Sequence, residues 1–349
     1  MKILITGGAG FIGKNFLKEN DVHEVYIIDS FDSLIHGQDT KALEAFLKKN
    51  CAGYLIDDYT SNNSFKYIKE IKPDIIITMA SQTGTSDGNN RMDYYIKENI
   101  IKFSNFIDFV SKLSSIPKII HLSTRAVYGN GLSRVGASIV TNGYRTISNL
   151  SSGIYHYDWE KTDNGSYLPH HNSQPTIPIS IYGGTKLTQE SILYTYKSMC
   201  QLDIVVFRLQ NVIGRWQSKN NPYTGLTSWF VKSATKNEVI YIYENGEIWR
   251  DFIDVRDVCY YINMAIISNT FNNKTIDIGS GIPTNLYEYA RLIVKSLNSK
   301  SDVTKVKEFR VGDVRWAAAN IEFINSFKSI DHHTLSSSIL SYENHRNDF

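Results

Sequence analysis

Cysteine is scarce in this chain: Cys51, Cys200 and Cys259 are the three present in 349 residues, and they lie far apart. That spacing excludes a disulfide framework and a paired-cysteine metal knuckle, and it fits a reducing compartment. Long apolar runs are missing too. No stretch of about 18 consecutive apolar residues occurs, so the chain is read as cytoplasmic, with no membrane partner. The opening lysine and short apolar run stop at glycines, well before signal-peptide length. Charge of one sign is also lacking. The net charge is +2 with 21% charged residues, which gives no footprint for nucleic acid or an anionic surface. A hydrophobic fraction of 42% excludes a disordered chain. No metal site is expected, and no internal repeat stands out.

What is present is alternation. Short β-branched runs, KILIT (2–6), EVYIID (24–29), DIIITMA (74–80), KIIHLS (118–123) and IVVFRL (204–209), are separated by helical patterns such as TKALEAFLKKN and NIIKFSNFIDFVSKL. Continuous apolar strands are buried on both faces, as in a parallel sheet. The pattern predicts βαβ units and a doubly wound α/β fold of the Rossmann type. Residues 130–175, rich in Gly, Ser, Asn, Tyr and His, show no period and are read as a long loop or insertion over the carboxyl edge of the sheet. The alternation weakens after residue 212. The expected division is a dinucleotide-binding domain over 1–212, which also receives about 250–280, and a smaller mixed α/β domain over 213–349 that binds substrate. TIDIGS (275–280) reads as one more strand.

The stretch GGAGFIG (7–13) stands between a strand and a helix. In that context Gly7 permits a tight turn, Gly10 lets the backbone approach a pyrophosphate, and Gly13 lets helix and strand pack closely. The helix N-terminus, with Phe11 and Ile12, supplies free N–H groups and a positive dipole end. Alone, the motif could be an ordinary glycine-rich turn. Asp29, which ends the next strand 22 residues after Gly7, is the second signal. A carboxylate there accepts ribose hydroxyls and repels a 2′-phosphate, so NAD is the expected cofactor.

Tyr182 and Lys186 are four apart in SIYGGTKLTQE, on one face of a predicted helix. A phenol ionises near pH 10, and a nearby cation brings the phenolate within reach of neutral pH. Thr124 ends the KIIHLS strand, where the ligand crevice of an open sheet lies. Each has a plain alternative: a chance Tyr–Lys pair, or a strand-end cap.

Taken in order, GGAGFIG, STRAVYG and YGGTK resemble the extended short-chain dehydrogenase/reductase family of nucleotide-sugar epimerases and dehydratases. With MASQTGT (79–85) and NPYTG (221–225), the chain is most similar to the branch of dTDP-L-rhamnose and UDP-galactose 4-epimerases. The resemblance implies that Tyr182 is the acid/base, that Lys186 orients the nicotinamide ribose and tunes Tyr182, and that Thr124 holds the reacting hydroxyl. It implies that Ala80 and Asn99 line the cofactor site. It places Asn211, Arg250 and Arg310 on the diphosphate or nucleoside of a dTDP-, UDP- or CDP-hexose. The arginines could equally be ion-paired, with Asp251 or Asp313. Gln82, Thr83, Thr85 and Tyr223 are candidate sugar-pocket residues. The resemblance also implies a homodimer and a role in surface-polysaccharide sugar supply.

The two residues after Thr124 narrow the reaction. The family's 4,6-dehydratases carry Asp-Glu there; this chain has Arg125 and Ala126, which cannot serve as that acid/base pair. The expectation is C4 epimerisation through a 4-keto sugar. A 4-ketoreductase using NADPH, a C2 epimerase and a non-catalytic dinucleotide-binding protein stay open. Asp29 weighs against the reductase, and the presence of both Tyr182 and Lys186 against the silent protein.

Overall fold

A computed structural model describes residues 1–20, 22–218, 225–327 and 332–348. Its centre is a seven-stranded, all-parallel sheet. The strands are β1 (Lys2–Thr6), β2 (Glu24–Asp29), β3 (Gly53–Ile56), β4 (Ile75–Thr78), β5 (Lys118–Thr124), β9 (Ile204–Leu209) and β13 (Lys274–Ile278), in the spatial order β3-β2-β1-β4-β5-β9-β13. Alternation along each strand feeds two apolar layers. Ile3 and Ile5 of β1 join Val25, Ile27, Phe16 and Leu47 on one face. Leu4 joins Ile28, Ile76, Phe106 and Leu193 on the other. The edge strand β3 has no strong sequence signal, because GYLI contains a glycine and is only half-buried.

The chain runs outward through β1, β2 and β3, then returns to lay β4 against the other side of β1. This reversal makes a switch point, and in such sheets ligands sit at the carboxyl ends of the strands there. The glycine turn follows β1 at that place.

Residues 130–175 are not the irregular loop that their composition suggests. Strands β6 (Leu132–Val135), β7 (Ser138–Thr141) and β8 (Gly165–Leu168) form an antiparallel sheet, accompanied by short helices Ile147–Ser151 and Asp158–Lys161. Trp159 packs edge-on to Tyr167, and Tyr167 stacks on Trp316 with centroids 5.4 Å apart. Four-residue strands are too short to show a period, and the aromatic contact that anchors them is remote in sequence.

The smaller region holds β10 (Asn211–Ile213), β12 (Trp249–Asp254) and β14 (Pro283–Asn285) in one sheet, and β11 (Ile240–Ile242) paired with β15 (Val303–Lys305). Its core contains Phe230, Phe252, Tyr289, Ile293 and Tyr342. Between β12 and β13 the helix Val255–Ile267 crosses back, and its Val258 and Ile262 enter the core under the large sheet. None of the described helices is long and apolar enough to cross a membrane.

Candidate active site

Gly7 has φ +72, a conformation L side chains avoid. A Cβ there would also lie 2.7 Å from the backbone nitrogen of Ala80, just past β4. The two strand ends therefore meet backbone to backbone. A Cβ on Gly13 would strike the backbone of Gly8, so the helix Phe11–Glu19 can start this close to the turn only with glycine. Gly10 caps that helix with no side-chain hydrogen bond, which leaves the first N–H groups without a side-chain partner. A cradle shaped by missing Cβ atoms, under an uncapped helix start, fits a pyrophosphate.

Asp29 stands beside the cradle. One carboxylate oxygen accepts the Ala9 N–H at 3.0 Å, and the other accepts the Phe31 N–H at 2.9 Å. His36 approaches the second oxygen at 3.4 Å. The carboxylate thus braces the glycine turn and keeps lone pairs for further donors.

The Asn99 side chain makes three hydrogen bonds within the protein. It is fully buried in a π-helical turn, Lys97–Ile101, and its amide is committed to the protein. Its oxygen accepts the Gln82 N–H at 2.8 Å, and its nitrogen donates to the Gln82 carbonyl and the Thr185 hydroxyl, both at 3.0 Å. Asn99 braces the segment after β4 against the helix Ile181–Cys200. A single-turn π segment often marks such a site. The Gln82 side chain reaches Asp32 at 3.4 Å, and the Thr83 carbonyl accepts the Tyr95 hydroxyl at 2.6 Å. Tyr223 and the Thr85 side chain lie outside the described residues.

The helix Ile181–Cys200 carries Tyr182 and Lys186 on one face. Ser180 caps it through the Gly183 N–H, and Asn89 accepts the Ile181 N–H, so its start is fixed twice. The Thr124 hydroxyl accepts the Ala126 N–H at 3.2 Å and lies beside the Tyr182 phenol. Since Thr124 already accepts from Ala126, its own hydrogen is free to point at the phenol oxygen. That arrangement favours phenolate. Burial pushes the Tyr182 phenol above its ordinary value, while Thr124 and the Arg125 charge pull it back.

Burial pushes the Lys186 ammonium down to about 7, against the pull of Glu190 one turn on. Glu190 is itself gripped by Arg208 through two guanidinium nitrogens, with Nη2 at 2.7 Å, and by the Ser123 hydroxyl at 2.5 Å. Arg208 also donates to Tyr128, whose hydroxyl donates to Asp277 at 2.7 Å. This buried chain fixes the floor on which Lys186 stands. Its members are scattered in sequence and share no motif; Glu190, four residues from Lys186, is the one local sign.

On the other side of the crevice Asn211, in β10, has a buried side-chain oxygen with no partner among the described residues. Arg250 is buried and donates to the Trp249 carbonyl at 2.7 Å and to Asp313. Arg310 is exposed and lies over the Tyr243 ring at 5.3 Å. Burial resists ionisation of Asp313, yet Arg250, Arg125, Arg145 and Arg310 together hold its carboxyl below the usual range. Four arginines converging on one carboxylate make an excess of positive charge, suited to a diphosphate. Arg145 comes from the insertion, and nothing in its sequence neighbourhood announced it.

Comparison with known proteins agrees with this geometry. Residues 3–279 match the family described as the NAD dependent epimerase/dehydratase family. The chain is 30% identical to the dTDP-L-rhamnose 4-epimerase of Burkholderia thailandensis over 325 residues, covering 92% of this chain and 87% of that one. It is 26% identical to the UDP-glucose 4-epimerase of Mycoplasma genitalium, covering 92% and 88% of the two chains. In fold it is similar to the UDP-glucuronic acid 4-epimerase of Bacillus cereus, solved with UDP-glucuronic acid and NAD. There the TM-score is 0.78 at 19% identity, over 99% of each chain.

Proposed function

The chain belongs to the NAD-dependent epimerase/dehydratase family, and on that premise we propose that it epimerises C4 of a dTDP- or UDP-hexose through a 4-keto sugar. The observation that carries this reading is the glycine cradle after β1 together with the helix that presents Tyr182 and Lys186 on one face. Gly7, Gly10, Gly13, Phe11, Ile12, Asp29, Ala80 and Lys186 would hold NAD. When bound, NAD supplies a hydride acceptor that can later return the hydride to either face of the sugar.

The chain's own residues do the rest. Tyr182 takes the proton from the C4 hydroxyl as that carbon is oxidised, and gives it back on reduction. Thr124 aligns the same hydroxyl and stabilises the charge on the Tyr182 oxygen. Arg250, with Asn211 and Arg310, anchors the diphosphate, so the sugar can turn while its nucleotide stays in place. Arg125 and Ala126 offer no acid/base pair for loss of water, so the 4-keto sugar is returned and not dehydrated. Gln82 and Thr83 border the sugar pocket. By the same resemblance, the protein works as a cytoplasmic homodimer that supplies sugars for surface polysaccharide.

The test is direct. The purified protein is denatured and its released nucleotides are identified by mass spectrometry. It is then incubated with dTDP-L-rhamnose, UDP-glucose and UDP-glucuronic acid in turn, and the C4 stereochemistry is followed by proton NMR. Retained NAD with interconversion of one pair is the expected result. An empty protein that consumes NADPH would replace this reading with a 4-ketoreductase.

A further inference from the structure

Residues 306–320 form no helix or strand, so no ladder of their own fixes them. Yet this segment carries Arg310 and Asp313. The two stand at the ends of one turn, closed by the Asp313 N–H on the Arg310 carbonyl at 3.2 Å, with Gly312 at φ +80 inside it. An irregular segment holds charged side chains in place only when other parts of the protein bind its polar groups and offset the entropy of ordering it.

The insertion supplies such grips along the whole segment. Ahead of the turn, the Tyr155 hydroxyl donates to the Lys307 carbonyl at 2.6 Å. Past the turn, Arg315 Nε donates to Glu160 Oε2 at 2.9 Å, and Trp316 stacks on Tyr167. Further on, the His170 N–H donates to the Ala318 carbonyl at 2.7 Å, and the His170 carbonyl accepts the Asn320 N–H at 2.8 Å. At the turn itself stands Arg145. Its Nη2 donates to the Asp313 carbonyl at 2.5 Å, while its Nη1 pairs with Glu244, just past β11. The Asp313 carboxylate accepts the Val314 N–H at 3.0 Å and pairs with Arg250. The side chains of Arg145, Glu244 and Arg250 are 6%, 0% and 4% exposed. Out of reach of water, a group displaced from this chain of contacts finds no substitute partner.

We propose that the insertion is a mould for the substrate-binding segment, with Arg145 the positioning residue at its centre: it holds the Arg310–Asp313 turn so that Asp313 keeps Arg250 in place for a diphosphate. The inference rests on the proposed function, in which Arg250 and Arg310 anchor that diphosphate. It gives residues 130–175 a part in substrate binding that requires no contact with the substrate. A lid over the sugar would act on the other end of the ligand, so a ligand without a sugar separates the two roles.

The probe is UDP, which carries the diphosphate and lacks the sugar. Calorimetric titration compares the parent with Arg145→Ala combined with Glu244→Gly, which removes the brace and leaves no buried carboxylate unpaired. UDP is expected to bind about tenfold more weakly to the double variant, the scale of one charge-assisted hydrogen bond, with retained NAD unchanged. Trypsin reads the same loosening without any ligand. Cleavage after Lys307 and Arg310, followed by mass spectrometry, is expected to be about tenfold faster as the segment opens more often. Arg145→Lys serves if the double variant fails to fold, since an ammonium lacks the two-armed fork that spans Glu244 and the Asp313 carbonyl; both changes are expected in the same direction. A brace that served folding alone, or a lid over the sugar, would leave UDP affinity at the parent value in a folded variant. Parent affinity for UDP, or cleavage at the parent rate, overturns this inference and leaves the proposed function standing. A parent protein that binds neither UDP nor dTDP overturns the proposed function and this inference with it.

Discussion

Arg145, in the insertion, is ion-paired with the fully buried carboxylate of Glu244, 99 residues further along the chain. Its other arm donates to the Asp313 carbonyl. Glu244 adopts φ +53, in the left-handed region, which costs roughly 1–2 kcal/mol for a residue with a Cβ. The backbone tolerates that conformation, and the pair ties the insertion to the wall of the arginine cluster.

Removing one partner of a buried pair strands the other charge, at roughly 3–5 kcal/mol. Arg145→Ala should therefore lower stability by about that amount and release the insertion. Urea unfolding and limited proteolysis within 130–175 would show it. Adding Glu244→Gly to Arg145→Ala should restore most of the loss, since it removes both the stranded charge and the strained φ. A double variant no better than Arg145→Ala would count against the pair.

Tyr182→Phe should cut the C4 epimerisation rate by roughly 10²–10⁴-fold while released NAD stays near stoichiometric. The hydroxyl is lost, but no part of the glycine cradle changes. Most of the rate surviving would show that another group is the base.

Asp29→Ala should weaken NAD by roughly ten- to a hundredfold, the worth of hydrogen bonds to a charged group, and narrow the preference over NADP. Because Asp29 also accepts the Ala9 and Phe31 N–H groups, Asp29→Asn should be the milder change. Binding measured by titration calorimetry with both cofactors would decide. Equal affinities for the two in the parent protein would contradict the role given to Asp29.

Asp277 offers a pH test. Burial pushes its carboxyl from 3.8 up to about 7, with Tyr128 and Arg208 pulling it down. Between those values the folded chain holds a proton that the unfolded chain has released. Stability from this group is therefore full below pH 4 and is lost as pH rises to about 7. Asp277→Asn should remove that decline. Denaturation of both proteins at pH 5 and pH 8 should show the variant gaining relative to the parent at the higher pH, and no relative gain would remove the assignment.

Much of the fold and the site was legible in the sequence. Ile3, Leu4 and Ile5 announce a strand buried on both faces, and Gly7 with Asp29 announces the cradle, because these signals are local or have fixed spacing. Tyr182 and Lys186 needed only a helical turn. What escaped was non-local. Asn99 reads as a cofactor residue, and the partners that fix its side chain, Gln82 and Thr185, are brought together only by the folded chain. Arg125 is visible as a departure from an acidic pair, while the packing of its turn on the helix of Tyr182 depends on Gly183. Arg145 had no sign at all, since a lone arginine in an aperiodic segment looks like a solvated charge until Glu244 is found.

The return of the helix Val255–Ile267 and of β13 to the large sheet governs how the protein can come apart. The two regions are laced together by the chain and are not beads joined by one linker. A fragment ending near residue 213 would lack β13, leaving the long apolar flank of β9 as an open edge that invites association with other chains. The lacing makes the smaller region's folding a condition for completing the larger one, so the two should melt as a single cooperative unit. It also restricts any opening of the crevice to a rocking about several strands of chain at once, which keeps the two walls in register through repeated turnovers.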